Sequence, residues 1–315
     1  MKTIVIGFLN TDIIATGLPR FPKSGELIFG DELSIGPGGK SRNIASMIAR
    51  LVEPKSVAML GRTSRDPYGL WKSPVTALED VGVDTSHIKI FNFEETGKMP
   101  GIALIPVDIN GNNQIIVLPG ICEDFCPKDI EESIELFKEV GLEKGMLVLT
   151  MECPIETSLS AVKISKEHGI KVMFDPGGLQ ESDDITELLN TGIFLIKPNE
   201  HELKMLTGIN AIDFETAQLG AKKLFDYGIE NVLITLGEKG AFLFTHKSNT
   251  RFEIPNIEVD KSQKDATGCG DQTMATLVAM LQAGKTLTES VEIAIKAGTL
   301  QFFRTGIKPV ELEDL

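Results

Sequence analysis

Short, almost continuously apolar runs recur along this 315-residue chain, and helix-like amphipathic stretches separate most of them. The runs are Thr3–Phe8, Ser56–Leu60, Met146–Thr150, Lys171–Phe174, Phe194–Lys197, Val232–Thr235 and Ala241–Phe244. The helical stretches are Ser41–Leu51, Pro74–Val81, Lys128–Val140, Ile155–His168, Glu215–Tyr227 and Asp271–Gln282. A strand turns alternate side chains to opposite faces, so a run that is apolar throughout must be covered on both sides. Repeated with helices between, the pattern predicts an α/β fold, a central and mostly parallel sheet with helices on both faces. Two segments break the rhythm. Residues 11–36 lack a helical period and carry turn signals at Pro19, Pro22, Gly25 and Gly30. Residues 90–119 read as short strands around the turn Asp108-Ile109-Asn110-Gly111, with Gln114–Leu118 as one of them. Together they predict one small antiparallel sheet, a β-lid of about 11–36 and 90–119, on a single domain spanning 1–315. The plain alternative is two surface hairpins.

The net charge of −14 repels phosphate backbones and anionic lipid, so neither nucleic acid nor membrane is expected as a partner. An anionic substrate is not thereby excluded, because a pocket can be locally basic. Four cysteines in so long a chain imply no disulfide framework, and no second pair or histidine cluster completes a zinc site around Cys122 and Cys126. The apolar N-terminal run is broken at Asn10 and Asp12, before it could serve as a signal segment. With no run of membrane-spanning length, a cytoplasmic protein is expected.

The strongest chemical signal is Asp265-Ala266-Thr267-Gly268-Cys269-Gly270-Asp271, followed by an apolar-periodic helix. Its glycines let backbone approach an anion closely, and the helix start aims free N–H groups at it. Asp271 would sit beside that anion, where a base in phosphoryl transfer belongs. A glycine-rich strand-to-helix turn with no such role accounts for the motif equally well. A second signal, Gly36-Pro37-Gly38-Gly39-Lys40-Ser41-Arg42-Asn43, also opens a helix. It mimics the end of a P-loop, but Ser34 stands where that motif needs glycine. What remains is a close-approach backbone flanked by Lys40 and Asn43, suited to a polyhydroxylated ligand or to a solvated tight turn. Asn199 and Glu202, three apart after an apolar strand, could orient the waters of Mg²⁺ or simply form a capping box. Arg42 neighbours Asn43, and adjacent helical residues point about 100° apart. If Asn43 faces a ligand, Arg42 is expected in solvent beside the pocket, with a neutral acceptor; the alternative is pairing with an anionic one.

The two glycine motifs, in this order and nearly a chain length apart, resemble those of the ribokinase-like (PfkB-type) carbohydrate kinases. Lesser matches fall between them: Asn10-x-Asp12, Pro22…Gly25-Glu26, Thr96-Gly97, Asp108…Gly111-Asn112, Glu152, Asn199-x-x-Glu202 and Thr235-Leu236-Gly237…Gly240. The resemblance implies an ATP-dependent kinase that phosphorylates a sugar hydroxyl, with a β-lid over the sugar. It implies Asp271 as base, and Gly268, Cys269 and Gly270 as the hole for the transferring phosphoryl group. Asn10, Asp12, Gly39, Lys40, Asn43 and Glu152 match sugar contacts. Asn199, Thr235, Gly237 and Gly240 match nucleotide contacts, and Glu202 matches a residue acting on Mg²⁺ through water. In ribokinases proper a monovalent cation such as K⁺ often binds near the positions of Asp265 and Gly306. Ser41-Arg42 departs from the small pair usual in the sugar motif, and Ile295 and Lys296 fall at the adenine pocket. Same-fold rivals would act on fructose, a keto-deoxy sugar acid or a nucleoside. A rival of another class is a non-catalytic sugar or nucleotide sensor. The exposed edges of a lid sheet also point to a homodimer through the lid.

Overall fold

The computed structural model describes residues 1–261 and 264–315. Its strands, in chain order, are β1 (Thr3–Ile6), β2 (Asn10–Leu18), β3 (Glu32–Gly38), β4 (Val57–Arg65), β5 (Ile88–Asn92), β6 (Gly101–Asp108) and β7 (Ile116–Leu118). They continue as β8 (Met146–Thr150), β9 (Lys171–Asp175), β10 (Leu195–Ile196), β11 (Asn231–Thr235), β12 (Ala241–Thr245) and β13 (Asn249–Phe252). Nine form one sheet in the order β13-β12-β11-β10-β9-β8-β1-β4-β5. It is parallel from β5 to β11, and β12 and β13 add antiparallel at one edge.

The apolar runs become strands because both of their faces are covered. Ile4, Ile6, Leu147, Leu149, Val172 and Phe174 pack into one core cluster. The alternate residues Val5, Val148, Met173, Leu195 and Leu233 pack into the other, on the opposite side of the sheet. Phe174 is fully buried, which is worth about 2–3 kcal/mol of transfer free energy. The stretch 128–140 does not form one helix. It breaks into Pro127–Glu131 and Ile134–Leu142, and Ser133 Oγ bonds back to the Asp129 carbonyl at the break. The helix Leu287–Phe302 adds to the elements read from the sequence.

The second sheet has the order β3-β2-β6-β7 and draws its strands from the two irregular segments. It is mixed rather than antiparallel: β2 and β6 run parallel, from Asn10 opposite Gly101 to Ala15 opposite Pro106. Both strands leave the main sheet at the same edge and run outward, because the connection between them passes back through β4 and β5. Leu33, Ile35, Ile116 and Leu118 of this sheet are exposed. All four cysteines are free. Among the described residues, no helix is long and apolar enough to cross a membrane.

Candidate active site

The site forms outside the C-terminal ends of the parallel strands, where open α/β sheets gather their ligands. Glu152, Asp175 and Thr235 follow or end β8, β9 and β11, and Lys197 and Asn199 follow β10. The helix Lys40–Ala49 is aimed at this edge by Gly39, whose φ is 92°. A Cβ on Gly39 would come within 2.7 Å of the Phe8 carbonyl oxygen, so no other residue fits that approach. Gly39 offers no side-chain cap. The cap arrives from elsewhere in the chain: Glu152 Oε2 accepts from the Lys40 amide at 2.6 Å and the Ser41 amide at 3.3 Å. Burial pushes the Glu152 carboxyl up to about 7, against the pull of Lys40 and with the repulsion of Asp271.

The helix Cys269–Gln282 starts at Gly268, in the left-handed region with φ 75°, and carries Asp271 in its first turn. Asp271 is 7% exposed and both of its oxygens are engaged. Lys40 Nζ lies 2.6 Å from Oδ1, and Asn43 Nδ2 donates to Oδ2 at 3.3 Å. The two glycine motifs, 228 residues apart at Asn43 and Asp271, therefore meet in one hydrogen-bond network. Lys40 also lies 3.4 Å from Asp175 Oδ1, and Lys197 Nζ lies 2.8 Å from Asp175 Oδ2. Burial alone would favour neutral Lys40, but the Asp175 and Asp271 carboxylates outweigh it and raise its proton affinity above the usual lysine range. Asp175 and Lys197 were given no role from the sequence, although Asp175-Pro176-Gly177-Gly178 stands at a strand end like the other motifs. A Cβ on Gly270 would come 3.5 Å from Lys197 Nζ, so that ammonium stands beside the glycine turn. The Cys269 thiol is pushed up to about 12 by burial and the Asp265 and Asp271 carboxylates, which keeps it protonated and non-nucleophilic.

On the lid side, Asn10 and Asp12 belong to β2. Asn10 is 2% exposed and its Oδ1 has no partner, an open acceptor for a ligand hydroxyl. Burial raises the Asp12 carboxyl to about 6, and Arg42 opposes that rise. Arg42 is not solvated: it is 4% exposed. Its guanidinium donates to the carbonyls of Pro37 and Gly38 and to Asn43 Oδ1. The side chain turns back along its own helix start, because the end of β3 presents two carbonyls there. The planar fork thus serves neither solvent nor an anionic ligand; it orients the Asn43 amide toward Asp271.

On the other side of Asp271 a cavity of about 520 Å³ is lined by Lys197, Asn199, Glu202, Thr235, Gly237 and Gly240, with Ile295, Phe302 and Phe303 as an apolar wall. Asn199 and Glu202 form a complete capping box, with bonds of 2.8 and 2.9 Å. Burial and the Asp175 charge raise the Glu202 carboxyl above its usual range. Lys296 turns away, its Nζ on the Leu315 carbonyl. Among the described residues no three His, Cys, Asp or Glu side chains gather as a metal cage. Mg²⁺, which keeps its waters and shares phosphate oxygens, needs no such cage, and Glu202 fits it through water. The Asp265–Gly306 position fits a cation poorly. Asp265 Oδ1 accepts from the Thr267 amide and Oδ2 from the Gly306 amide, both at 2.8 Å, and Gln301 Nε2 occupies the space between the Thr267 and Gly306 carbonyls.

A buried carboxylate at a helix start, with an ammonium and an amide on it, between a polar lid side and a long cavity, defines a small-molecule kinase site. The chain belongs to the pfkB family of carbohydrate kinases, whose model matches residues 2–312. It is 30% identical over 275 residues to a deoxyribokinase of Salmonella typhi, covering 86% of this chain and 82% of that one. It is 30% identical over 308 residues to a ribokinase of Lactococcus lactis, covering 97% and 92%. The Arabidopsis thaliana ribokinase complexed with ribose and ATP superposes with a TM-score of 0.85 at 28% identity, over 98% of this chain and 95% of that one.

Proposed function

We propose that this sugar kinase transfers the γ-phosphoryl group of ATP to a hydroxyl of a neutral pentose, ribose or 2-deoxyribose. One observation carries the reading: Asp271 is held by Lys40 and Asn43 at the junction of the lid side and the cavity. There Asp271 accepts the hydroxyl proton as that oxygen bonds to the γ-phosphorus, and the electrons of the breaking bond leave with ADP. Amides of 268–270, at the positive end of the helix, oppose the charge that grows on the equatorial oxygens. Asn10, Asp12, Asn43 and Glu152 orient the sugar, and Asn199, Thr235, Gly237 and Gly240 seat the nucleotide. When bound, Mg²⁺ would neutralise phosphate charge, and Glu202 would orient its waters. K⁺ is left out, because protein donors already meet the oxygens it would use.

The charges support a neutral acceptor. Asp12 and Glu152 both lie near Arg42, whose guanidinium is engaged by the protein itself. A sugar acid would meet carboxylates there. The test is ADP release with ribose, 2-deoxyribose, fructose, a keto-deoxy sugar acid and nucleosides. A pentose is expected to give the highest kcat/KM. A sugar acid or nucleoside in first place would overturn the acceptor assignment, and no ADP release with any of them would favour a sensor. We further propose that the exposed Leu33, Ile35, Ile116 and Leu118 of the lid are covered by a second copy of the chain. Sedimentation showing only monomer at micromolar concentration would exclude that dimer.

A further inference from the structure

Gln301 lies in the last turn of the helix Leu287–Phe302 and has no exposed surface. Its Nε2 donates to two carbonyls, Gly306 at 2.7 Å and Thr267 at 3.2 Å. An amide nitrogen has two N–H groups, and both are used. The reverse orientation would set Oε1 against two carbonyl oxygens, so the contacts fix which atom is nitrogen. Asp265 closes the same structure from below, taking the Thr267 amide on one oxygen and the Gly306 amide on the other. Two of these four bonds, Gln301 to Thr267 and Gly306 to Asp265, join turns far apart in sequence.

Two carbonyls that converge on one atom repel each other unless a positive group stands between them. A cation can do this, and so can a pair of N–H donors. We propose that the Gln301 amide replaces a monovalent cation in tying Thr267 to Gly306, so that this kinase works without K⁺. Gln301 is a positioning residue. It lies directly behind the glycine turn of the proposed phosphoryl hole, since a Cβ on Gly268 would be 3.9 Å from Nε2. A bound ion holds such a turn only in proportion to its occupancy, whereas a covalently attached donor holds it at any salt composition. The inference rests on the sugar-kinase reading only for its activity assay.

The experiment compares KCl with choline chloride at equal ionic strength, so that screening is constant. For the wild-type protein, ADP release with the best sugar, Mg·ADP binding by calorimetry and the melting temperature are each measured in both salts. All three are expected to agree, with turnover equal within about twofold. Stimulation of turnover by KCl of about fivefold or more, or KCl-dependent Mg·ADP binding, would overturn the proposal. Gln301→Ala opens the position; it is expected to lose about tenfold in turnover in choline chloride and to regain part of it in KCl. A Gln301→Ala protein as active as wild type in choline chloride also overturns it. If that variant does not fold, the wild-type salt comparison decides alone. Absent turnover in both salts counts against the sugar-kinase reading, and Mg·ADP binding still decides the cation question.

Discussion

Replacing Arg42 by alanine removes a side chain that the sequence places in solvent and the structure places inside the site. The guanidinium holds the Pro37 and Gly38 carbonyls and Asn43 Oδ1. Losing a hydrogen bond from a charged donor costs about 1.5–3 kcal/mol when water cannot replace it. Water can reach the two carbonyls once the side chain is gone, so the Asn43 contact sets the lower part of that range for the site. With Asn43 free to rotate, its amide leaves Asp271 Oδ2 for part of the time. At 1.4 kcal/mol per factor of ten, about 1.5–2 kcal/mol is a loss of about 10- to 30-fold in kcat/KM. A second effect has its own signature. Burial holds Asp12 at about 6 against the pull of Arg42, so without that cation Asp12 must rise further. A carboxylate accepts sugar hydroxyls in its ionised form, so with Glu152 at about 7 and Asp12 at about 6 the wild-type kcat/KM for the sugar should fall below about pH 7 and more steeply below about pH 6. In Arg42→Ala the acid limb should move to higher pH. Steady-state kinetics across pH, with the best neutral sugar, measure both. A change below about threefold with an unmoved acid limb would refute the reasoning and return Arg42 to a surface role.

Asp175→Asn leaves Lys197 without the carboxylate 2.8 Å from its ammonium. Breaking a buried pair from one side costs about 3–5 kcal/mol, so chemical unfolding should show a loss of at least about 3 kcal/mol; a loss under about 1 kcal/mol would show that the pair is not dry. Glu202→Gln should raise the Mg²⁺ concentration needed for half-maximal activity if Glu202 orients metal waters. A slightly less stable protein with the same Mg²⁺ curve would leave it only the cap seen at Asn199.

The sheet was legible because its strands are apolar on both faces, and Met146–Thr150 reads identically in sequence and structure. The lid was legible as strands but not as a mixed sheet, since the β2–β6 pairing depends on where the chain returns after β5. The helix Leu287–Phe302 announces itself only by its capping box, Thr286 with Glu289, because Thr299 and Gly298 weaken its helical pattern. The Gly-rich motifs named residues that the structure gathers around Asp271, and Arg42 was noticed but placed in solvent, while Asp175, Lys197 and Gln301 did not stand out. Their places depend on partners in distant segments: Asp175 meets Lys40, and Gln301 meets Thr267. No local spacing encodes those meetings.

The central claim is that Asp271 removes the proton from the acceptor hydroxyl. Asp271→Asn keeps the size and can keep the contact to Asn43, but it cannot take a proton. Turnover and sugar binding should be measured on the same preparation, the binding by calorimetry. A fall in kcat of at least about 10²-fold is expected, with the sugar Kd changed by only a few-fold. An Asp271→Asn enzyme turning over near the wild-type rate would contradict it and remove Asp271 from the mechanism.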